Sequence, residues 1–477
     1  MLGPARAMLA LRSQDQIRDQ GAFMTSSRFN GIGALATSCL ALASPLCLAS
    51  GFQILEQSTS RLGTAYAGTA SIADDATTAF FNPAGMARLD KAEAAIAGHL
   101  LVIDSEFDDR GSLAAAGTPL QQPLTGPPGA TDDPGVAGGL FVVQPISERW
   151  TFGLGISAPF GLISEYDDDA VVRYHATRSE LTVVNFNPSV AFAVTDELSL
   201  GFGLNYQRAE VKLNNAVDSF SVCVGGGGTV PACAAAHGGP ANAVADSQSN
   251  IDGDDDAIVA DLSLHWQPSE NTALGLVWRQ GAEFDLSGDA SFSLSENCAA
   301  DPFCAGSLQS LQGPIRADAE LPDTLTASVS HRIRDRWTVH GDLAWTQWSS
   351  LQRVEIVNSD NGREVSRLEL NYDDTFRAAA GASFQATDHL QWRFGVAFDQ
   401  APQDDPQFVT PRIPDADRVW ISAGFNYRFG PDASMDLGYA HLFVDDSSID
   451  SMEQGNRLTG RFDNTVDILG LQFNWRY

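Results

Sequence analysis

Residues 390–398 read LQWRFGVAF. Leu390, Trp392, Phe394, Val396 and Phe398 share one face at a spacing of two, against Gln391, Arg393, Gly395 and Ala397, with Asp399 following. Side chains alternate across a strand, so this period marks a half-buried β-strand with one apolar side. WTVHGDLAW (337–345) repeats it, with Trp337, Val339, Leu343 and Trp345 opposite Thr338, His340, Asp342 and Ala344. So does VWISAGFNYRF (419–429), with Val419, Ile421, Phe425, Tyr427 and Phe429 against Trp420, Ser422, Asn426 and Arg428.

Working outward, fourteen strands are predicted at about 92–107, 136–146, 150–160, 180–195, 197–213, 255–268, 272–286, 320–333, 336–349, 369–386, 389–400, 416–430, 432–445 and 462–477. Every second connection is tiny, as at Ser147–Arg149, Arg334-Asp335 and Pro431. The others are long: 108–135, 161–179, 214–254, 287–319, 350–368, 401–415 and 446–461. A soluble sandwich has no reason to sort its loops by parity, whereas an outer-membrane barrel has short periplasmic turns and long external loops. No segment has the roughly 18 consecutive apolar residues of a membrane-spanning helix, and lipid then leaves only a closed barrel to satisfy the backbone. Asp342, Arg393 and Arg428 cannot face hydrocarbon cheaply and are assigned to the lumen. Trp266, Trp278, Trp337, Tyr427 and Trp475 suit interfacial girdles. The expected fold is all-β: a 14-stranded antiparallel transmembrane barrel in the bacterial outer membrane, surrounded by outer-membrane lipid and lipopolysaccharide. The terminal LQFNWRY resembles the signal read by barrel-assembly machinery.

The ends and the charge fit that address. Arg28 precedes an apolar run from Ile32 to Leu48, closing on small residues near Ala49. This order reads as a secretory signal peptide, with Met24 the expected start and residues 1–49 removed. The chain of 477 residues is 44% hydrophobic, and its net charge of −31 rests on 60 Asp+Glu against 29 Lys+Arg. Nucleic acid needs cations along its phosphates, so it is a poor partner for this chain. Beyond the signal remain Cys223, Cys233, Cys298 and Cys304, in two close-spaced pairs. An oxidising compartment favours the disulfides Cys223–Cys233 and Cys298–Cys304, with four free thiols as the alternative.

Between signal and first strand lies GFQILEQSTSRLGTAYAGTASIADDATTAFFNPAGMARLDK (51–91). A barrel of this size has a lumen wider than its own side chains fill, and a segment rich in Gly, Ala and turns can plug it. The expected organisation is a hatch at 50–91 and a barrel at 92–477. The pattern GFQ…LG.AYAG.A.IADDA…NPAG resembles the N-terminal hatch of the FadL family of outer-membrane long-chain fatty-acid transporters. LPDTLTASVSHRIRDRWTVHGDLAWTQWSSLQRV (321–354), FRAAAGASFQATDHLQWRFGVAFDQAP and IPDADRVWISAGFNYRF are similar to later strands of that family. The likeness covers nearly all of the mature chain except the external loops.

The resemblance implies a monomeric barrel that needs no cofactor. Ligand would be caught between loops 214–254 and 287–319, bound inside, and released sideways at the third strand after the hatch moves. The corresponding stretch FGLGISAPFGLI supplies Gly153, Gly155, Pro159 and Gly161, residue types that weaken strand pairing. Phe52 is the candidate for the hatch residue entering the pocket. Asp74, Asp75, Asn82, Pro83 and Ala84 are expected to pin the hatch turns, since no nucleophile or orienting group accompanies the acids. The family's basic positions at the tops of the fifth and ninth strands lead to Arg208 and Lys212 in RAEVKLNN. In WSSLQRVEI they lead to Glu355, with Arg353 two residues away. Lys212, Arg353 and Arg208 are thus the candidate carboxylate partners, favouring fatty acids over neutral or aromatic hydrocarbons.

Weaker signals carry less. GGGGTV (225–230) lacks the Lys-Ser/Thr of a phosphate loop. DGDDD (252–256) begins like a calcium loop but has Ala257 at the turn glycine and Ser263 at the closing glutamate. The histidines show no metal spacing. A lipid-modifying barrel enzyme would need a Ser/His/acid set that the sequence does not assemble. A general porin is disfavoured by the plug.

Overall fold

The structure, a computed structural model, describes residues 51–131 and 134–477. The expected signal peptide, its start at Met24 and the cleavage point near Ala49 lie outside the described residues. Fourteen strands form one antiparallel ring: β1 (Glu93–Asp109), β2 (Gly135–Pro145), β3 (Trp150–Glu165), β4 (Arg178–Ala193), β5 (Leu198–Val217), β6 (Ser247–Ser269), β7 (Thr272–Arg279), β8 (Thr324–Arg334), β9 (Trp337–Thr346), β10 (Thr375–Gln385), β11 (Leu390–Asp399), β12 (Arg418–Arg428), β13 (Ala433–Val444) and β14 (Asn456–Arg476). Each strand pairs with the next, and β14 returns to β1 from Glu93↔Arg476 to Asp109↔Gly460, so the ring closes. The short and long connections alternate as the sequence predicts.

The period of two decides which way each side chain points. Trp392, Phe394, Val396 and Phe398 stand exposed on the outer wall, while Arg393, Asp399, Asp342 and Trp420 are buried inside. Membrane barrels need this arrangement, because lipid rather than a second protein layer covers the outer face.

Several strand limits differ from expectation: 150–160 runs to Glu165, 369–386 shortens to Thr375–Gln385 and 462–477 begins at Asn456. Residues 272–286 are not one strand: β7 stops at Arg279, and a second run, Glu283–Ser293, pairs with the top of β6 and with Gly313–Glu320. The break is held by the Asp323 carboxylate, which accepts from the Gly281 amide at 2.7 Å and the Trp278 indole at 3.0 Å. Residues 252–256 lie within β6, paired with β5 and with the 283–293 strand, so DGDDD is extended ladder rather than a cation-wrapping loop.

Residues 51–91 occupy the lumen. Their helical turns Thr59–Leu62, Thr78–Phe81 and Pro83–Arg88 pack against inward-facing positions of the wall. Where the backbones come closest the wall uses glycine: a Cβ on Gly395 would stand 2.0 Å from the Thr64 carbonyl carbon, and one on Gly275 would stand 1.9 Å from the Ala70 oxygen. Only residues without a side chain leave room there.

Candidate functional site

The lumenal segment is seated by ion pairs at one end. Arg61 donates to Asp74 at 2.6 Å; Arg393 reaches Asp74 at 3.5 Å and also binds Asp436. Asp75 accepts from the Thr77 amide at 2.9 Å, the Ser60 hydroxyl at 2.6 Å and the Gln472 amide nitrogen at 3.2 Å. Asn82 caps the next turn, its Oδ1 accepting from Ala84 N at 3.0 Å with Pro83 opening the helix, while its Nδ2 donates to Leu264 O at 3.1 Å. These five residues therefore lie in anchors.

At the other end the segment meets the wall through its backbone. Gly51 N donates to Asp415 Oδ2 at 2.7 Å, and Arg418 holds the second oxygen of that carboxylate. Ile54 N donates to Pro159 O at 2.8 Å and Gly161 N to Phe52 O at 3.0 Å. The Phe52 ring meets Trp348 edge-on at 4.9 Å and Phe160 at 6.1 Å.

Burial pushes Glu56 up to about 7, against the pull of its own backbone amide, Arg377 and Arg418. Burial likewise raises Asp415 to about 6, against Arg418. Both carboxyls sit above their ordinary values, so the docked form binds the extra proton. Its stabilisation is complete below the ordinary glutamate value of 4.5 and is lost as pH rises through about 7. Amides 54–57 should therefore exchange at least about tenfold more slowly near pH 5.5 than near pH 8, after correction for intrinsic rates. Glu56→Gln should flatten most of that dependence in hydrogen–deuterium exchange.

The strand ladder of the wall is interrupted where this N-terminal end touches it. β3 pairs with β2 only from Gly139↔Ser157 to Pro145↔Thr151, while its pairing with β4 shifts register between Ser157 and Phe160 and continues to Glu165↔Arg178. Above Ser157 the β2 side of β3 has lost its ladder, and Pro159 and Gly161 bond to the lumenal segment instead. Gly153 and Gly155 do not belong to this break. Gly153 pairs with Val143 and Ser189, and Gly155 with Phe141 and Asn187. A Cβ on Gly153 would stand 2.3 Å from Met86 Sδ, and one on Gly155 3.1 Å from the Phe141 ring, so these glycines make room for neighbouring side chains.

Three cavities have neighbouring linings. An outer vestibule of about 610 Å³ lies among the external loops, lined by His175, Asn215, Phe408, Leu368 and Glu453 among others. Below it an apolar pocket of about 100 Å³ is walled by Phe52, Leu162, Val183, Phe284, Leu351, Leu370 and Ile413, bordered by Arg412. A third cavity of about 80 Å³ lies past Phe52, against Pro159, Phe160 and Arg279. Leu368 is common to the first two, and Phe52 and Gln53 stand on either side of the boundary between the last two.

The fold is shared with known proteins. The model of the outer membrane protein transport protein family (OMPP1/FadL/TodX) matches residues 40–477. The chain belongs to the OMPP1/FadL/TodX family. "Outer membrane protein P1" of Haemophilus influenzae is 31% identical over 86% of this chain and 89% of its own length. The "Long-chain fatty acid transport protein" of an Escherichia coli O6:H1 strain is 26% identical over 93% of this chain and 98% of its own. The crystal structure of a Pseudomonas aeruginosa FadL homologue shares the fold, with a TM-score of 0.79 at 24% identity over 89% of this chain and 99% of that one. The protein is accordingly an outer-membrane β-barrel.

The basic residues selected by the FadL resemblance do not reach the pocket. Arg208 and Lys212 share the outward face of β5 with Phe202, Leu204 and Tyr206. Arg208 binds Asp254 at 2.8 Å, and Lys212 lies 3.4 Å from Glu180. Arg353 is exposed, and Glu355 faces Arg367 at 3.5 Å. The cation that does border the pocket is Arg412, carried by TPRIPD (410–415) in the loop after β11.

The cysteines pair as Cys223–Cys233 and Cys298–Cys304. Their short helices pack together with Phe220 and Leu308 as a cap on the outer surface. His237 and Asp301 join the two halves at 3.0 Å. Closing such short loops limits the freedom of a surface that is otherwise costly to order.

Proposed function

We propose that the protein carries long-chain hydrophobic molecules, fatty acids foremost, passively across the outer membrane. The carrying observation is the apolar pocket whose inner end is Phe52 of the lumenal segment, beside a barrel wall whose β2–β3 ladder stops at Ser157. Each methylene buried there contributes about 0.8 kcal/mol, enough to draw a long alkyl chain from the vestibule. Residues 51–91 act as the hatch. Withdrawal of Gly51 from Asp415 moves Phe52, joins the pocket to the cavity beneath, and gives the chain a sideways exit beside Pro159 and Gly161. This is a binding and passage device rather than a catalyst, consistent with aspartates that serve as anchors. It works as a monomer in lipopolysaccharide-rich membrane and reaches that membrane through barrel-assembly machinery that reads its aromatic C-terminus.

Uptake of radiolabelled oleate by cells lacking other carriers tests this reading. Expression should raise the initial rate several-fold without an energy source. Unchanged uptake of oleate alongside accelerated uptake of alkanes or toluene would make the protein a hydrocarbon channel.

A further inference from the structure

Six arginines of the described residues are buried, and five of them have a carboxylate within 4.0 Å: Arg61 with Asp74, Arg173 with Asp246, Arg377 with Asp399, Arg393 with Asp436 and Arg418 with Asp415. Arg412, 6% exposed, is the exception among them. Its guanidinium donates only to neutral acceptors: Ser179 Oγ at 3.0 Å, Arg178 O at 3.2 Å, Asn215 Oδ1 at 3.4 Å and Asn214 O at 3.5 Å. A buried charge without a counter-ion is expensive, and proteins keep one where a ligand supplies the opposite charge.

Its position selects the ligand. Arg412 borders the apolar pocket, and its partner Asn215 lines the vestibule, so the guanidinium stands at the boundary of the two cavities. The strap that carries it is fastened to the top of β3: Ser164 Oγ donates to Arg412 O at 3.3 Å and the Tyr166 hydroxyl to Pro411 O at 2.7 Å. The nearby acids are otherwise engaged or weak. Glu180, which also lines the pocket, is bound by Arg178 at 3.0 Å and approached by Lys212 at 3.4 Å. Glu453 faces Arg412 from the strand Ser447–Glu453 beyond ion-pair distance, and burial raises it to about 7, so near neutrality it is only partly charged. Burial lowers Arg412 itself to about 10, which leaves it a cation at neutral pH.

We infer that Arg412 is the residue that recognises an acidic head group, holding a carboxylate at the vestibule boundary with the alkyl chain directed inward toward Phe52. This rests on the proposed transport of long hydrophobic molecules and deepens it: the preferred cargo is an anionic amphiphile rather than a neutral hydrocarbon. Charge-assisted bonds replace the long neutral ones that the guanidinium makes in its absence.

The test is displacement of a fluorescent fatty-acid analogue from the purified full-length protein by oleate and by methyl oleate. Wild type should prefer oleate by about tenfold or more. Arg412→Gln should bring oleate down to the affinity of the ester while leaving the ester unchanged, and Arg412→Lys should keep part of the preference. Glu453→Gln, which removes the competing acid, should tighten oleate alone. Heat-modifiable migration on gels shows that each variant has folded. Equal binding of acid and ester by wild type, or equal weakening of both by Arg412→Gln, would overturn the assignment while sparing the transport reading. Failure of wild type to bind either ligand would instead sink the transport reading on which it rests.

Discussion

Asp436→Leu should unseat the lumenal segment and turn a plugged barrel into a leaky one. Asp436 is fully buried on β13 and holds Arg393, which in turn reaches Asp74 of the segment. The same carboxylate accepts from Asn426 at 3.0 Å and Asn474 at 2.7 Å, so its loss strands three donors at once. Removing one partner of a buried pair typically costs about 3–5 kcal/mol, because the remaining charge loses its main compensation; here Arg393 would keep only the 3.5 Å approach to Asp74. All three donors belong to the wall and Arg393 is their link to the segment, so the cost falls on the side-chain cluster that seats Asp74 rather than on the strand ladder, which keeps its backbone pairs. The barrel should therefore still form, with lowered thermal stability and a large rise in planar-bilayer ion conductance. Adding Arg393→Met removes the stranded guanidinium and should recover much of the stability. Wild-type conductance in Asp436→Leu would mean that the backbone approaches at Gly275 and Gly395 suffice to hold the segment.

How far the sequence reaches follows from which contacts are local. The lipid-facing alternation of LQWRFGVAF is a property of consecutive residues, and so the ring, its strand count and its loop parity are legible from it. The assignment of Asp75, Asn82 and Pro83 to turn anchors is legible for the same reason, since their first partners, Thr77 and Ala84, are two residues away or fewer. Arg208 and Lys212 fail because facing depends on register: a shift of one residue exchanges wall and lumen. Ala209 and Val211, between them, line the pocket in their place. Arg412 carries almost no local signal beyond a cation flanked by prolines in an external loop. It becomes significant only when the fold sets the loop after β11 against the tops of β4 and β5. The division of FGLGISAPFGLI into a paired half and an unpaired half is equally non-local, because it is decided by what β2 and the lumenal segment offer to each side of Ser157.

That division gives the largest expected effect on transport. Continuing the register Gly139↔Ser157 upward would set Ala137 opposite Pro159 and Gly135 opposite Gly161. Both β2 residues already pair with β1, so an acceptor strand is in place and β3 alone departs. Proline has no amide proton to give the ladder, and glycine pays most entropy in a strand. Pro159→Val with Gly161→Val restores one donor and two residues that favour extended pairing. Each recovered ladder bond contributes about 0.5–1.5 kcal/mol net, so two or three could move the opening by one to two orders of magnitude. They compete with four bonds to the lumenal segment: Ile54 N to Pro159 O, Gly161 N to Phe52 O, Gln57 Nε2 to Ala158 O and Ala158 N to Gln57 Oε1. Oleate uptake should fall at least about tenfold while equilibrium binding of oleate to the purified protein stays within about twofold of wild type, because the pocket itself is untouched. Unchanged uptake with a restored β2–β3 ladder would mean that the cargo continues down the lumen past Arg279, and the sideways exit would have to be given up.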